Sequence, residues 1–438
     1  MVISKEFKNK KIAIYGAGKS GLSSAEILTQ KKAKVFCWDD DRKIRSKLKT
    51  LKHNVSKFWL NKYHPIDYIV ISPGIDVEKS GIKKFLKKNK KKIITDLDIF
   101  FHLNKSIPII AITGTNGKST TCKIIQKILI ESGYNAKVGG NIGNPVLSLK
   151  KSNKKNIYIF EISSFQLQYS SLFRSRHAAI LNISPDHLDR HKNIKKYIQT
   201  KLKIFFGQKY GDYSYISNTN KYSKLVIEKL KNKNLKSTLI TINQKKCNLL
   251  LKKIKNEYLK TNCNVINLSF AYEIVKKYNV SNTTIIKALN KFKGLPHRQK
   301  IVFSNNKIKC IDDSKATSFD ASLQSLKSYD KIYWIVGGQP KTGDSFDLNN
   351  VSKKIVKAYI VGKNISFFVK KIKKKIPYKI SNSLKNAINE ISEDIKKNKN
   401  FCSNILLSPA AASYDQYKNF EDRGNHFKSL IIKKFKKY

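Results

Sequence analysis

A glycine loop that ends in a lysine and a serine carries the strongest chemical signal in the sequence. The loop reads Gly114-Thr115-Asn116-Gly117-Lys118-Ser119-Thr120 and lies between an apolar run and a helical pattern. Glycines let backbone N–H groups converge on phosphate at a helix N-terminus, where the helix dipole also favours anions. Lys118 would neutralise the β and γ oxygens of a triphosphate, and the Ser119 hydroxyl would ligate Mg²⁺. The loop therefore predicts an ATP site.

The spacing of this loop departs from the usual phosphate loop in one respect. The usual pattern places a glycine five residues before Gly117, but Ile112 occupies that position, so the loop is shorter. An ordinary glycine turn is the alternative interpretation. The strand-like run 109–112 before the loop and the apolar helix face after it favour the phosphate site.

Two further segments combine carboxylates and imidazoles after apolar runs. Glu161 follows the run 157–160, at the carboxyl end of a predicted buried strand, where open α/β sheets bind ligands. It could hold Mg²⁺ opposite the loop serine, or simply cap the strand. The segment 182–191 contains two histidines, two aspartates and an arginine, which favours a site. The alternative is a polar loop with a helix N-cap at Ser184 or Asp186.

The beginning of the chain carries a second glycine loop. Gly16-Ala17-Gly18-Lys19-Ser20-Gly21 follows a strand-like run, and Asp39 comes about twenty residues later. This pattern is typical of dinucleotide binding, so a dehydrogenase is a rival hypothesis. The pattern alone is weak, because the same geometry can hold any nucleotide diphosphate.

Three polar segments in the last third of the chain each follow an apolar run. They are 312–317, 337–341 and 408–413. Each segment alone is typical of a turn. If the runs are neighbouring strands, the three segments would share one side of an α/β domain and could line an anion pocket.

The elements that must position these residues are short apolar runs separated by helical patterns. Runs without alternation indicate strands that are buried on both faces, hence parallel sheets of the α/β class. The runs are Ile12–Tyr15, Tyr68–Ile71, Ile109–Ile112, Ile157–Phe160, Ala179–Leu181 and Ile332–Val336. With boundaries near residues 96 and 294, we expect three domains, over 1–96, 97–294 and 295–438.

Basic residues greatly outnumber acidic ones in the chain. Lys plus Arg total 88 against 30 Asp plus Glu, a formal net charge of +58. A lysine-rich nucleic-acid ATPase is therefore a second rival, but only seven of these residues are arginine, which suits base and phosphate contacts best. We expect solvated lysines, no nucleic-acid partner and no membrane insertion. Six cysteines without a C-x-x-C pair predict neither disulfides nor a zinc site, which fits a cytoplasmic protein.

Taken in order, these segments resemble the muramyl ligase family of bacterial cell-wall synthesis over nearly the whole chain. The shortened phosphate loop is similar to the one that marks the wider family. The segments that carry the closer resemblance are Phe160–Leu167, Gly294–Arg298, Asp313–Thr317 and Lys418–Glu421. The resemblance implies an N-terminal Rossmann-like domain, a central P-loop domain with a parallel sheet, and a C-terminal Rossmann-like domain.

The same resemblance implies an activity and a set of ligands. The expected reaction is ATP-dependent amide formation between UDP-N-acetylmuramoyl-L-alanine and D-glutamate, catalysed by a monomer. Lys118 would be the phosphate lysine, and two Mg²⁺ ions would be held by Ser119, Glu161 and His187. Lys201 matches a lysine that the family carbamylates into a metal-bridging carboxylate, although the residues alone do not choose it over Lys203.

The remaining positions follow by comparison with the family's motifs. The nucleotide contacts beyond the loop would be Asn267, Arg298, Asp313 and Lys315. The positions for D-glutamate would be Thr317, Lys341, Ser413 and Phe420. The uridine nucleotide would be bound at Ser20, Asp39, Gly74 and Asn141. Asp40 and Asp41 stand where the family often has a basic residue, with Arg42 adjacent.

Overall fold

The computed structural model describes residues 5–57, 60, 65–150, 155–218, 220–231, 235–341, 346–397 and 402–436. Three β-sheets with flanking helices make up the described part of the chain. The expected α/β class with three sheet-containing regions is confirmed. The apolar runs become strands because their Ile, Val, Tyr and Ala side chains are buried on both faces.

The first sheet is parallel and contains four strands in the order β2-β1-β3-β4. The strands are β1 (Lys11–Tyr15), β2 (Lys34–Trp38), β3 (Tyr68–Ile71) and β4 (Ile93–Ile94). The helices are α1 (Lys19–Gln30), α2 (Arg42–Thr50), α3 (Lys83–Lys88) and α4 (Asp96–Leu103). The glycine loop 16–18 joins β1 to α1, as a nucleotide-binding turn requires.

The second sheet is also parallel, with six strands in the order β10-β9-β8-β5-β7-β6. Its strands are β5 (Ile109–Thr113), β6 (Asn135–Gly140), β7 (Asn156–Glu161), β8 (His177–Ile180), β9 (Tyr213–Ser217) and β10 (Thr238–Ile242). The first helices are α5 (Lys118–Glu131), α6 (Ser164–Tyr169), α7 (Leu188–His191), α8 (Ile194–Phe206) and α9 (Lys221–Lys231). The chain continues with α10 (Lys245–Lys253), α11 (Glu257–Lys260), α12 (Asn262–Lys276) and α13 (Asn282–Asn290). Of these, α11 belongs to the same compact unit as residues 290–438.

The third sheet has the order β11-β12-β16-β13-β14-β15 and is mixed, because β11 pairs antiparallel with β12 at one edge. Its strands are β11 (Lys300–Ser304), β12 (Ile308–Asp312), β13 (Ile332–Gly337), β14 (Ile355–Val361), β15 (Tyr378–Asn382) and β16 (Ser403–Leu407). The helices are α14 (Phe319–Ser328), α15 (Ile365–Ile372), α16 (Leu384–Lys397) and α17 (Phe420–Phe435). An antiparallel hairpin needs only a short turn, and the turn 305–307 here is too short for a helical crossover.

The chain forms two compact units. One comprises 1–253 with 267–289 and contains the first two sheets; the other comprises 254–266 with 290–438 and contains the third sheet. The domain boundaries near residues 96 and 294 remain predictions. Among the described residues, no helix has the length and apolarity that crossing a membrane requires.

Candidate functional site

The phosphate loop has the backbone conformation that its glycines predict. It leaves β5 at Thr113 and enters α5 at Lys118, and Gly114 and Gly117 have φ angles of +154° and +84°. A Cβ atom on Gly117 would lie 2.2 Å from the Asn267 side-chain oxygen. Glycine is therefore favoured at position 117 for two reasons. The backbone is left-handed there, and the Asn267 side chain, an expected nucleotide contact, leaves no room for a Cβ atom.

The loop is held from both sides by polar contacts. The Lys118 ammonium donates to the carbonyls of Gly114 and Thr115 at 2.9 and 2.8 Å. The Asn182 amide pairs with the backbone of Asn116, accepting from its N–H at 2.8 Å and donating to its carbonyl at 3.0 Å. The segment after β8 thus supports the loop, so the polar stretch 182–191 has a structural role.

One buried carboxylate joins the loop to a second group of candidate residues. The Ser119 hydroxyl donates to one oxygen of Glu161 at 2.5 Å, and the Asn141 amide donates to the other at 2.8 Å. Glu161 is the last residue of β7 and is 2% exposed. Residues expected to serve the metal, the nucleotide and the uridine substrate therefore meet at one side chain.

Lys201 lies on the inner face of α8, only 1% exposed. Its ammonium donates to the Gly114 carbonyl at 2.9 Å and to the Thr113 hydroxyl at 3.3 Å, and lies 4.7 Å from the centre of the Tyr197 ring. Burial lowers the pKa of Lys201 well below its usual value, and the charge of Lys118 lowers it further. A lysine in this setting readily becomes the neutral amine that carbamylation requires.

The two histidines of the 182–191 segment lie at the short helix α7. His187 precedes the helix in a left-handed conformation, with φ +54°, so the helix is capped by neither Ser184 nor Asp186. The His187 ring packs on Phe165 at 4.8 Å between centres. His191 is buried and contacts the Ser164 hydroxyl at 2.9 Å; burial, followed by the charges nearby, lowers the pKa of His191 to about 4.

All four residues expected to bind the uridine substrate line one cavity of about 340 Å³ in the first unit. These residues are Ser20, Asp39, Gly74 and Asn141. Gln166, which sequence reasoning did not assign, lies in the same wall. The cavity therefore extends from the first glycine loop to the residue that bonds Glu161.

The carboxylates of Asp39 and Asp40, after β2, accept hydrogen bonds from other parts of the chain. Asp39 accepts from the backbone N–H groups of Ala17 and Asp41 at 2.7 and 2.9 Å, which fixes the glycine loop. Asp40 accepts from the Tyr15 hydroxyl and the Trp38 ring nitrogen. A basic residue that the sequence interpretation missed, Arg45, packs over Trp38 at 4.6 Å and donates to the carbonyls of residues 39 and 40.

In the second unit, the three polar segments of the C-terminal region share one sheet edge. They follow β12, β16 and β13, which are adjacent and parallel. The Lys315 ammonium lies 3.7 Å from the centre of the Phe420 ring, which places an expected nucleotide contact beside an expected D-glutamate contact. Ser413 is buried, and its carbonyl accepts from the backbone of Gln416 and Tyr417.

Asp313 is buried in the second unit and accepts from Ser325, Ser408 and the backbone of Gln299 at 2.5, 2.8 and 3.2 Å. Burial raises the pKa of Asp313 to about 7, and the two serine hydroxyls oppose that shift. Arg298 lies between α13 and β11, beside two residues with positive φ, His297 and Gln299. These residues form a strained turn next to a buried carboxyl.

The other candidates have these positions: Thr317 lies between β12 and α14, and Lys341 follows β13. Two residues that sequence reasoning missed support the candidates. The Tyr197 hydroxyl lies 3.2 Å from the Thr115 hydroxyl, and it stands four residues before Lys201 on α8, a spacing visible in the sequence. Arg423 is 2% exposed and donates to the carbonyls of Ser314 and Ala411, both at 2.9 Å.

The donor atoms around Glu161 suit a hard cation. Mg²⁺ prefers oxygen ligands such as the carboxylate of Glu161 and the hydroxyl of Ser119, which are already in contact. No cluster of three or more His, Cys, Asp and Glu side chains able to hold a metal occurs in the described part of the chain. Unmodified Lys201 offers no anionic oxygen to such a cation.

The central parallel sheet and its glycine loop define the chain as a P-loop nucleotide-binding protein. The family model for the Mur ligase middle domain matches residues 112–289, and the model for the Mur ligase MurD-like N-terminal domain matches residues 10–94. The chain belongs to the Mur ligase family.

Relatives of known name align over almost their whole length. The UDP-N-acetylmuramoylalanine--D-glutamate ligase of Rickettsia bellii is 36% identical, over 96% of this chain and 97% of its own. The ligase of the same name from Rhizobium meliloti is 31% identical, over 98% and 97%. This chain is therefore similar to these ligases along nearly its whole length.

Solved structures show the same fold at low sequence identity. The MurF ligase of Thermotoga maritima, solved in complex with ADP, has a TM-score of 0.56 and 13% identity, over 98% of this chain and 97% of its own. The UDP-N-acetylmuramate-alanine ligase MurC of the same organism has a TM-score of 0.53 and 16% identity, over 97% and 99%. These likenesses confirm the architecture.

Proposed function

We propose that this Mur-family ligase uses ATP to join D-glutamate to the alanine carboxylate of UDP-N-acetylmuramoyl-L-alanine. The observation that carries the proposal is the Glu161 carboxylate, which bonds both Ser119 of the phosphate loop and Asn141 of the adjoining cavity. One residue thus links the place for a triphosphate to the place for a second anionic substrate. The names of the similar ligases supply the identity of the substrates.

The cavity in the first unit is the proposed site of the uridine nucleotide. Its glycine loop leads into α1, so backbone N–H groups at the helix start are available to a diphosphate. Lys19 lies in the same wall and adds a positive charge. The acyl end of the substrate would then lie towards Asn141 and Gln166, on the side of the cavity nearest to Glu161.

The proposed chemistry solves the problem that a carboxylate is a poor acyl donor. A carboxylate oxygen attacks the γ-phosphorus of ATP, and the bond to the β–γ bridging oxygen breaks, giving an acyl phosphate and ADP. The amine of D-glutamate attacks the acyl carbon, and the C–O bond to phosphate breaks. An amide and inorganic phosphate result, and the amine loses a proton to solvent. Lys118 stabilises the charge that develops on the phosphoryl oxygens.

The proposed cofactor is Mg²⁺, with two ions. Ser119, Glu161 and His187 would hold them, and a carbamylated Lys201 would supply a further anionic ligand. Magnesium supplies neutralisation of the approaching anions when it is bound. The buried amine of Lys201 forms the carbamate by attacking CO₂ and losing a proton, which turns a cation into an anionic ligand.

The second unit carries the proposed contacts of the nucleotide and the amino acid. The proposed nucleotide contacts are Arg298, Asp313 and Lys315, with Asn267 from the first unit. The proposed D-glutamate contacts are Thr317, Lys341, Ser413 and Phe420. An amino acid with two carboxylates needs cations, and Lys341, which follows β13, would supply one of them. We also propose that the enzyme acts as a monomer in the cytoplasm.

The proposal is tested with purified full-length protein, ATP, Mg²⁺ and UDP-N-acetylmuramoyl-L-alanine. Phosphate release and the mass of the nucleotide product are measured with D-glutamate, L-glutamate, L-alanine and meso-diaminopimelate in parallel. We expect turnover and a product with D-glutamate alone. Turnover with another amino acid in place of D-glutamate would overturn the substrate assignment, and no turnover with any of them would overturn the ligase itself.

A further inference from the structure

Arg190 makes an unusual set of contacts at the wall of the substrate cavity. Its guanidinium donates to the carbonyl oxygens of three consecutive residues, Pro73 at 3.3 Å, Gly74 at 3.5 Å and Ile75 at 2.6 Å. The same three residues line the cavity of about 340 Å³. Arg190 therefore bonds the 73–75 turn without itself lining the cavity.

The other contacts of Arg190 tie this turn to the catalytic side of the first unit. The Nε atom donates to the Gln168 side chain on α6 at 2.9 Å. The Arg190 Cζ atom lies 4.7 Å from the centre of the Phe165 ring, and the centre of that ring lies 4.8 Å from the centre of the His187 ring. One side chain thus joins a turn after β3 in the first sheet to helices α6 and α7 beside the second sheet.

We propose that Arg190 is a positioning residue that fixes the 73–75 turn relative to His187, and so sets where the acyl end of the uridine substrate lies. The inference rests on the proposed function. The three carbonyls need a donor with several N–H groups in one plane, which guanidinium provides and ammonium does not.

The composition of the chain supports the need for arginine at this position. Only seven of the 88 Lys and Arg residues are arginine. Lysine therefore serves most places where a positive charge is enough. Arg174 shows the same use of the planar fork, because it bonds both oxygens of Asp212, at 2.8 and 3.0 Å.

The test compares Arg190→Lys and Arg190→Gln with the wild type and with Arg174→Lys as a matched control. The control also replaces a guanidinium by an ammonium, but Arg174 pairs with Asp212, and neither residue lines the cavity. For both Arg190 variants we expect the KM for UDP-N-acetylmuramoyl-L-alanine to rise about tenfold to a hundredfold, as loss of one or two charge-assisted hydrogen bonds implies. The KM for ATP should change less than about threefold.

Equilibrium binding separates the inference from a general loss of structure. We expect the UDP substrate to bind Arg190→Lys more weakly while ATP binds normally, and we expect Arg174→Lys to lower the melting temperature without changing either affinity. An Arg190→Lys enzyme with wild-type KM for both substrates would overturn the inference. So would an equal loss for both substrates, which would indicate a merely structural role. Failure of the wild type to ligate D-glutamate would instead refute the proposed function, whatever the variants bind.

Discussion

The basic residues of this chain differ sharply in burial and in the number of hydrogen bonds that they donate. Lysine is abundant on exposed helix faces, where its charge is solvated, yet Lys201 is buried against the phosphate loop. At least four of the seven arginines bond two or more acceptors, namely Arg45, Arg174, Arg190 and Arg423. In a lysine-rich sequence, the position of an arginine is therefore informative about structure.

Two neighbouring lysines on α8 give the first prediction. Replacing Lys201 by Ala should lower kcat about a hundredfold or more, because the proposed carbamate stabilises charge in the transition state. Lys203→Ala is the control: Lys203 is partly buried but donates to the Gln168 carbonyl, away from the loop. It should retain kcat within a few-fold. Steady-state phosphate release measures both, and equal losses would remove Lys201 from the mechanism.

The buried carboxyl of Asp313 gives the second prediction. Burial raises its pKa in the folded protein to about 7, whereas an unfolded aspartate titrates near 4. Below about pH 4 both states are protonated and the contribution to stability is fully present. Between about pH 4 and pH 7 the unfolded state ionises first, so this contribution is lost as pH rises.

Asp313→Asn should therefore remove part of the pH dependence. Thermal unfolding of the full-length protein should show the wild type losing stability from pH 4 to pH 7 relative to the variant, by at most about 4 kcal/mol. Because the chain has two compact units, the comparison is made on the transition that the substitution shifts. Parallel curves for wild type and variant across this range would contradict the raised pKa.

At the scale of secondary-structure elements, the join between β5 and α5 decides whether a phosphate can be bound. The strand ends and the helix begins within five residues, and the two glycines of the loop have positive φ. β7 ends at Glu161, and the segment after β8 supplies Asn182. The parallel strands β8, β5 and β7 are neighbours, so Asn182, the glycine loop and Glu161 lie at one edge of the sheet. This is the expected placement of ligands in open α/β sheets.

Two glycines at opposite ends of α5 give the third prediction. Gly117 and Gly133 have almost equal φ angles, +84° and +85°, but only Gly117 has a neighbour where a Cβ would stand. Gly133→Ala should cost about 1–2 kcal/mol for the left-handed backbone and leave ATP affinity unchanged. Gly117→Ala should cost more and abolish ATP binding, because it also displaces Asn267. Titration calorimetry with ATP distinguishes them, and normal binding by Gly117→Ala would contradict the loop geometry.

The same elements show what the sequence can and cannot predict. The strands that correspond to the named apolar runs were predictable because buried parallel strands need unbroken apolar runs; they are β1, β3, β5, β7, β8 and β13. Strands with few apolar residues, such as β6, were not predicted. The family resemblance selects Lys201, but the residues alone did not choose it over Lys203, although α8 carries a signal. Tyr197, Ile198, Leu202 and Phe205 form a buried stripe at helical spacing, and Lys201 belongs to that stripe.

The contacts that depend on packing between distant segments were out of reach of the sequence. Nothing in the local pattern shows that Arg190 bonds the turn at 73–75, more than a hundred residues earlier. Nor does it show that the Asp40 carboxylate accepts hydrogen bonds from Tyr15 and Trp38. The local pattern also does not show that Arg45 supplies the basic side chain beside this segment. Such pairings follow from the tertiary fold.

At the scale of the whole molecule, the net charge of +58 invites a nucleic-acid function. The family models and the relatives indicate a ligase instead, since this chain matches two Mur ligase domains and aligns with a named ligase over almost the whole length of both chains. A positive field also attracts substrates that carry a diphosphate and carboxylates. The charge is therefore compatible with a ligase of small anionic molecules.

The central claim is that ATP activates the alanine carboxylate as an acyl phosphate before D-glutamate attacks. The most direct test uses UDP-N-acetylmuramoyl-L-alanine labelled with ¹⁸O in both carboxylate oxygens, together with ATP, Mg²⁺ and D-glutamate. The oxygen that attacks phosphorus leaves with the phosphate, so mass spectrometry should find one ¹⁸O atom in each phosphate released and one in each amide. Phosphate without ¹⁸O, formed while ATP is consumed, would show that water and not the carboxylate accepts the phosphoryl group, and would contradict the account.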